Sequence, residues 1–440
     1  MIGAAGLTGG AAGPPAGSRT PLRGNSSYRR LWSAVAISET GDWLLFIALP
    51  LYVLQVSGSA LATSSVFLAE LLPAVVVGTA CGPVIDRIHP ARLLSLLTGS
   101  QAVVLLPLLW LGPGRLWLVY PVTVVQSALT SVTTPAQQAL VSTLVGPGDL
   151  PAANAMVEVA GNVARLIGSP LGGFLLPLLG VEGLVLGDAA SFILSAALLA
   201  GCRGSAARDE VPREARAAGR LGAVAVGWHA VRRETTLMSA LTISFVGAVA
   251  QGLFLVLFVL FVLRSLHSGA EVVGLLRGVQ AVGGVAGGLM VGAWAARLGA
   301  RALTVGGLTA FAAVSLLAWN SPPLTTDTWW YVGLFAAVGI PAAALTTGLI
   351  TGIQRASPPG VLGRTLSLMQ AAQALGQGTG ILAAGLLSAS ISLTVLLNLQ
   401  AGCYVACALV AAMGFARRRR RRRRPVPGTR ASRRRRGSQG

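Results

Sequence analysis

Glu39, Asp42, Glu70, Glu158, Arg165 and Asp188 all sit inside long apolar runs in the first 200 residues. An ionisable group at the centre of a bilayer costs at least about 2.5 kcal/mol, so such groups face a cavity or a partner and mark sites of function. Asp42 lies 11 residues beyond the start of the first run, about 16 Å in at the helical rise, close to a bilayer midplane. It is the preferred protonation site, with a permanently ionised hydrogen-bond anchor as the structural alternative. Glu39, three residues earlier, shares its helix face and could titrate with it as a coupled pair. Glu70 is the third proton-coupling candidate, and Glu158 is near enough to the surface to be a solvated gate residue. Arg165 and Asp188 are each 13 residues from the same membrane face on neighbouring, oppositely directed runs. Their equal depth predicts an ion pair that fixes the two helices. The second half has Glu271 and Arg277 toward the outer end of a run and no acid at mid-depth. Proton handling is therefore expected in the first half and pocket shaping in the second. There Gln251, Gln280, Gln373, Gln377 and Asn398 are the polar candidates, and Phe254, Phe258 and Trp294, with Phe46 of the first half, the apolar ones.

The elements that hold these groups follow from composition. Of 440 residues 53% are hydrophobic and 11% charged, and mean hydropathy is +0.70, where a soluble domain carries about 25% charged residues. A soluble protein is excluded. The 56 Gly and 23 Pro suit membrane helices, whose freed backbone groups neighbouring helices satisfy. The net charge of +20 is concentrated in a tail: 13 Arg lie from Arg417 onward, and removing them leaves +7. Cys81, Cys202, Cys403 and Cys407 show no metal-ligand spacing, so neither a zinc site nor a structural disulfide is expected.

A membrane-crossing helix needs about 20 apolar residues. Twelve such runs are predicted, at approximately 31–56, 60–85, 92–112, 116–145, 152–180, 183–201, 236–263, 270–295, 302–319, 329–354, 362–389 and 392–415. They divide the chain into a disordered start (1–30), a six-helix bundle (31–201), a hydrophilic central loop (202–235), a second bundle (236–416) and a disordered Arg-rich tail (417–440). With both ends inside, 30 of the 34 Arg fall on the inner side, as the positive-inside rule demands. Val75, Gly78, Gly82, Arg87, Leu93, Gly168 and Leu176 recur 210 residues later as Val285, Gly288, Gly292, Arg297, Leu303, Gly378 and Leu386. The constant offset predicts two parallel six-helix repeats with a substrate site between them near the midplane.

The loop after the second run reads Gly82-Pro-Val-Ile-Asp86-Arg87-Ile-His-Pro-Ala-Arg92. Over residues 28–416 the chain resembles the major facilitator superfamily, whose signature is a Gly, three residues, an Asp and a run of basic residues. The resemblance implies a cytoplasmic gate formed by Gly82, Asp86, Arg87 and Arg92. In its second copy, Gly292, Arg297 and Arg301, Ala296 replaces the acid. Gly41-Asp42 with Ala48-Leu-Pro-Leu51, Pro135-Ala-Gln-Gln138, Asp188-Ala-Ala-Ser-Phe192 and the 10–11 loop residues Gln354, Arg355, Gly363 and Arg364 look like the siderophore and macrolide exporter branch. Gly168, Pro170, Gly172 and Gly173 resemble the element associated with antiporters, with the Pro shifted by one position.

The expected fold is thus all-α integral membrane, with twelve transmembrane helices in two six-helix repeats. The expected protein is a monomeric, multi-pass secondary transporter of the plasma (inner) membrane with both termini cytoplasmic. It is expected to export an amphipathic small molecule, such as a drug, antibiotic or siderophore, in exchange for protons. An importer, a lipid transporter, and a non-transporting sensor or scaffold are the rivals. No enzyme, metal or cofactor is expected: no catalytic constellation stands out, and without Lys there is no phosphate-binding loop of the Gly-Lys-Ser/Thr type. The Arg-rich tail has no interleaved aromatics, so anionic lipid rather than nucleic acid is its expected partner.

Overall fold

A computed structural model of the chain describes residues 24–77, 88–146, 149–202, 228–229, 231–232, 234–357 and 361–423. The described residues are helices and short connections. Helix α1 spans Ser26–Ser57, α2 Ala60–Val77, α3 Pro90–Leu105, α4 Val119–Leu144 and α5 Leu150–Ala200. In the second half α6 spans Thr235–Arg264, α7 Ala270–Asn320, α8 Thr328–Ala337, α9 Gly339–Ala356, α10 Leu362–Leu387 and α11 Leu393–Arg423.

Three boundaries differ from expectation. Helix α1 starts at Ser26, inside the segment expected to be disordered, because Asn25 caps it: its side chain accepts from Tyr28 N (3.0 Å) and donates to Leu144 O (2.7 Å). Tyr28 then donates through its hydroxyl to Ala153 O (2.8 Å), tying the start of α1 to α5. At the other end, α11 continues to Arg423 rather than giving way at Arg417. Arg is a strong helix former and extending an existing helix adds one hydrogen bond per residue fixed, so the apolar helix templates the first turns of the Arg run. Finally, nine helical stretches among the described residues are long and apolar enough to cross a bilayer, against twelve expected runs. One of the nine is the whole of α5; the apolar part of α2, Ala60–Pro73, is short.

Helices α5 and α7 are each broken once. Gly180 (φ 68, ψ 177) and Gly299 (φ 72, ψ 158) occupy backbone conformations open only to glycine. Both ends of α5 reach the first turns of α1, through Tyr28 to Ala153 O and Arg30 to Gly201 O, so the chain reverses direction at Gly180. Arg301, just after the break in α7, donates to Ala412 O (3.2 Å) near the end of α11. Asn320, at the other end of the same arm, exchanges hydrogen bonds with Asn398 near the start of α11 (2.8 and 3.2 Å). Asn398 is therefore paired there instead of facing a cavity.

The halves pack closely through glycines. A Cβ on Gly173 would collide with Ala270 O, and one on Gly274 with Ser169 O, so α5 and α7 touch backbone to backbone across the two halves. Gly385 and Gly378 of α10 face the side chains of Ser64 and Leu71 of α2. Small residues at such crossings let helices approach where lipid supplies no hydrophobic drive between them. At the end of the bundle holding Gly58, Gly180 and His267, one core joins both halves, with Leu51, Leu54, Val181, Leu257, Phe261 and Val273 among its buried members. At the opposite end, where α1 begins and α11 ends, the described residues form separate cores: Tyr28, Leu31, Leu94, Leu140 and Leu199 in the first half, Leu237, Ile353 and Met369 in the second. Among the described residues the halves share a core at one end and form separate cores at the other.

Candidate functional site

Three adjoining cavities of distinct chemistry run from the first half, across the interface, into the second. The first, about 360 Å³, is acidic: Glu39, Asp42, Glu70 and Asp188 line it, with Thr123, Gln126 and Ser127 of α4 opposite. Asp42 and Glu70 are exposed to it, while Asp188 is buried. Asp42 lies within electrostatic reach of Asp188, Glu39 and Glu70. Asp188 accepts from the Ser191 hydroxyl (3.1 Å) and its carboxylate presses against Gly41, the residue before Asp42. Ser127 donates to the backbone oxygen of Glu70. The Thr123 hydroxyl and the Gln126 carbonyl oxygen are buried in the same wall without a protein hydrogen bond.

The second cavity, about 380 Å³, is basic and aromatic. Trp43 belongs to both and separates them. Arg165 of α5 places its guanidinium over the Trp43 ring (5.1 Å) and donates to Gln280 Oε1 (2.7 Å). Arg277, one turn before Gln280 on α7, donates to that same oxygen (3.4 Å) and sits over Phe46 (5.6 Å) and Phe254 (5.2 Å). Phe254, Trp319 and Phe335 stack along the far wall, and Trp319 spends its N–H on Gln400 (3.0 Å). A third space, about 700 Å³, continues into the second half past Gln251, Gln370, Gln373 and Gln377 to Tyr404.

The expected Arg165–Asp188 ion pair is not formed. No salt bridge joins them among the described residues: Arg165 reaches Gln280 across the interface, while Asp188 faces α1 and Ser191. Equal depth fixed their height in the bilayer but not the direction each side chain takes around its helix. Arg277, expected near the outer end, is 6% exposed and reaches between the halves. Sequence reasoning passed over Trp43, Thr123 and Gln126. The i, i+3 spacing of Arg277 and Gln280 was the available signal for that contact.

Other candidate residues lie elsewhere. Glu158 is exposed near the start of α5, and Phe258 is buried beside the aromatic wall. Gly168, Gly172 and Gly173 carry the closest contacts of α5, on Thr40 and Leu44 of α1 and on Ala270 of α7, while Pro170 packs on Gly278. Gly82, Asp86 and Arg87 fall outside the described residues, as does the side chain of Trp294. Arg92, Gly292, Arg297 and Arg301 are exposed at the end where the halves are separate. Gln354 and Arg355 lie in the last turn of α9, Gly363 and Arg364 in the first of α10. Among the described residues no three His, Cys, Asp or Glu side chains converge closely enough to hold a metal ion.

The arrangement resembles known transporters. The bacterial homologue of the human lysosomal transporter Spinster, in its inward-facing unoccupied form, superposes with a TM-score of 0.68 at 15% identity, over 90% of this chain and 96% of that one. A bacterial homologue of the iron transporter ferroportin, inward-facing, gives 0.69 at 15% identity over 90% and 99%, and the nucleoside transporter NupG 0.67 at 12% over 88% and 99%. At these identities the likeness is one of fold. In sequence, the chain is 26% identical to the uncharacterized MFS-type transporter YfiS of Bacillus subtilis over 179 residues, and 27% identical to YkuC of the same organism over 196. These matches span 42% and 44% of the two relatives, less than half the length of each. The transmembrane secretion effector family matches residues 16–424, nearly the whole chain. With its membrane-crossing helices and the cavity between its halves, this multi-pass membrane protein belongs to the transmembrane secretion effector family of major-facilitator-type transporters.

Proposed function

We propose that the chain is a proton-coupled exporter of amphipathic small molecules, related to the siderophore and macrolide exporters, that works by alternating access in the plasma membrane. The observation that carries this reading is the adjacency of a four-carboxylate cavity in the first half to a cavity between the halves that holds two guanidiniums, in a bundle whose described residues share one core across the halves at one end and form separate cores at the other. Exchange requires a proton site and a substrate site that communicate, and Trp43 is a wall the two share. Asp42 is the preferred protonation site, with Glu39 and Glu70 within its electrostatic reach. Asp188 serves as its fixed neighbour.

The reading assigns twelve spans in two six-helix repeats, with the breaks at Gly180 and Gly299 counted as turns between spans. The α5–α7 and α2–α10 contacts support it, since the 210-residue offset interchanges them. Both termini are assigned to the cytoplasm, which makes the described state inward-facing, and the monomer to a membrane position with its Arg-rich end against anionic lipid. Reconstitution in liposomes with an imposed pH gradient and a panel of fluorescent amphiphiles tests the proposal. Gradient-driven accumulation that Asp42→Asn abolishes in a folded protein is the expected result. Movement down the gradient in the uptake direction would select an importer, and no movement of any substrate would favour a sensor.

A further inference from the structure

Arg165 and Arg277 approach one another from opposite halves of the molecule, and both spend a donor on one neutral oxygen, Gln280 Oε1. Neither forms a salt bridge to an acid among the described residues. Glu70 interacts with Arg277 electrostatically without reaching ion-pair distance, and the other acids of that group lie in the cavity on the acidic side of Trp43. Arg165 Nε is buried without a hydrogen-bond partner. Two like charges in a site of low dielectric repel strongly and each loses its hydration. A protein that needed only to fill this space would place an acid or an apolar side chain at one of the positions. The rings of Trp43, Phe46 and Phe254 cover the guanidinium faces and leave the N–H edges as the remaining donors. Planar guanidinium edges match the two oxygens of a carboxylate, or those of a phosphoryl or sulfonyl group.

We propose that the cavity between Trp43 and Trp319 binds an amphipathic organic acid, its anionic group held by Arg165 and Arg277 and its apolar body lying along Phe254, Trp319 and Phe335. The volume, about 380 Å³, is within the range of pockets for drug-sized molecules. The inference rests on the transporter reading and names the substrate class of its basic cavity. An anion bound there touches both halves at once, Arg165 on α5 and Arg277 on α7, and so reports its presence to the contact that alternating access must break.

Binding is measured on the purified protein in nanodiscs, by quenching of tryptophan fluorescence and by calorimetry, with probes of one apolar body and different charge. These are 1-naphthylacetate, 1-naphthyl phosphate and 1-naphthalenesulfonate as anions, methyl 1-naphthylacetate as the neutral form and 1-naphthylethylamine as the cation. At least one anion is expected to bind tenfold or more tighter than the ester and the amine. Arg165→Gln and Arg277→Gln are each expected to weaken it tenfold or more while leaving the ester unchanged. Gln280→Glu supplies an internal carboxylate to both arginines; it should fold with a raised Tm and lose anion binding, which keeps the test decisive if the arginine variants do not fold. An amine or ester that binds as tightly as every anion, anion affinity indifferent to Gln280→Glu, or no saturable binding by any anion overturns the inference. Anion binding without gradient-driven movement would sink the exchange reading alone, and coupled transport of cations without anion affinity would sink this inference alone.

Discussion

The Trp43 indole lies under the Arg165 guanidinium at 5.1 Å, so the residue that divides the acidic cavity from the basic one is itself held by a member of the basic one. It also packs edge to face on Phe46 (5.1 Å), the ring that Arg277 covers from the other side. The two arginines thus clamp one aromatic pair on α1, Trp43 and Phe46, which begins at the residue after Asp42. A change on either side of this partition is transmitted through a packed contact rather than through open solvent.

Replacing Trp43 by Ala removes the partition and the cation–π contact, worth about 0.5–2 kcal/mol depending on desolvation. The acidic and basic cavities then merge. The expected outcome is a protein of nearly unchanged fold in which proton movement no longer requires substrate. A pH-sensitive dye trapped in proteoliposomes should record faster collapse of an imposed gradient for Trp43→Ala than for wild type, whereas Trp43→Phe should remain close to wild type. Equal collapse rates for all three would remove Trp43 from any coupling role.

Opposite substitutions at Arg165 and Asp188 should not rescue one another. Each contacts a different partner, Gln280 for the first and Ser191 with Gly41 for the second. Arg165→Asp is expected to leave an acid between the halves, and Asp188→Arg to force a guanidinium into the α1–α5 contact. Charges buried without partners cost about 3–5 kcal/mol. The double variant should therefore unfold at or below the temperature of the worse single variant. A Tm restored toward wild type in the double variant would mean the two side chains meet in a state other than this one.

The seal at one end of the bundle depends on backbone contact between α5 and α7. Gly173→Val places a branched side chain where Ala270 O now sits, and overpacking of this kind costs about 1–3 kcal/mol. Because the clash lies between the halves, most of that cost can be relieved by parting them. Spin labels at Ser59→Cys and Ser268→Cys, in a background without the native cysteines, should report a longer distance in Gly173→Val than in wild type. An unchanged distance with a lowered Tm would place the strain inside one half and detach these glycines from gating.

How far the sequence reaches is decided by which physical cost is at stake. Asp42, Glu39, Glu70 and Asp188 were legible because an acid in hydrocarbon is expensive wherever it points, and all four line one cavity. The glycines of α5 were legible as a motif, though not their partners Ala270 and Leu44, which only the packing of three helices determines. Arg277 was misplaced because rise along the helix gives the depth of a Cα. Its side chain is long enough to carry the charge one or two turns away. The start of α1 was missed by five residues because hydropathy ignores caps, yet Asn25 three residues before Tyr28 was a readable helix start.

Gly180 and Gly299 carry the two reversals of α5 and α7, and they test how much stability such turns hold. Both have positive φ with extended ψ, a region where an L side chain costs about 1–3 kcal/mol. No atom of the described residues lies within 4 Å of a Cβ built on Gly299, so the expected effect of Gly299→Ala is one of backbone strain. At Gly180 the same methyl also approaches the Glu182 carboxylate (2.7 Å), a flexible exposed side chain that can move aside. Both alanine variants should lose about the same stability, read as a shift in the denaturation midpoint in mixed micelles, with the loss at Gly180 at least as large. Gly299→Asn should recover none of the loss, since the tolerance of Asn for positive φ is confined to αL and ψ 158 lies outside it. A Gly299→Ala variant as stable as wild type would show that the chain turns there by a different backbone path.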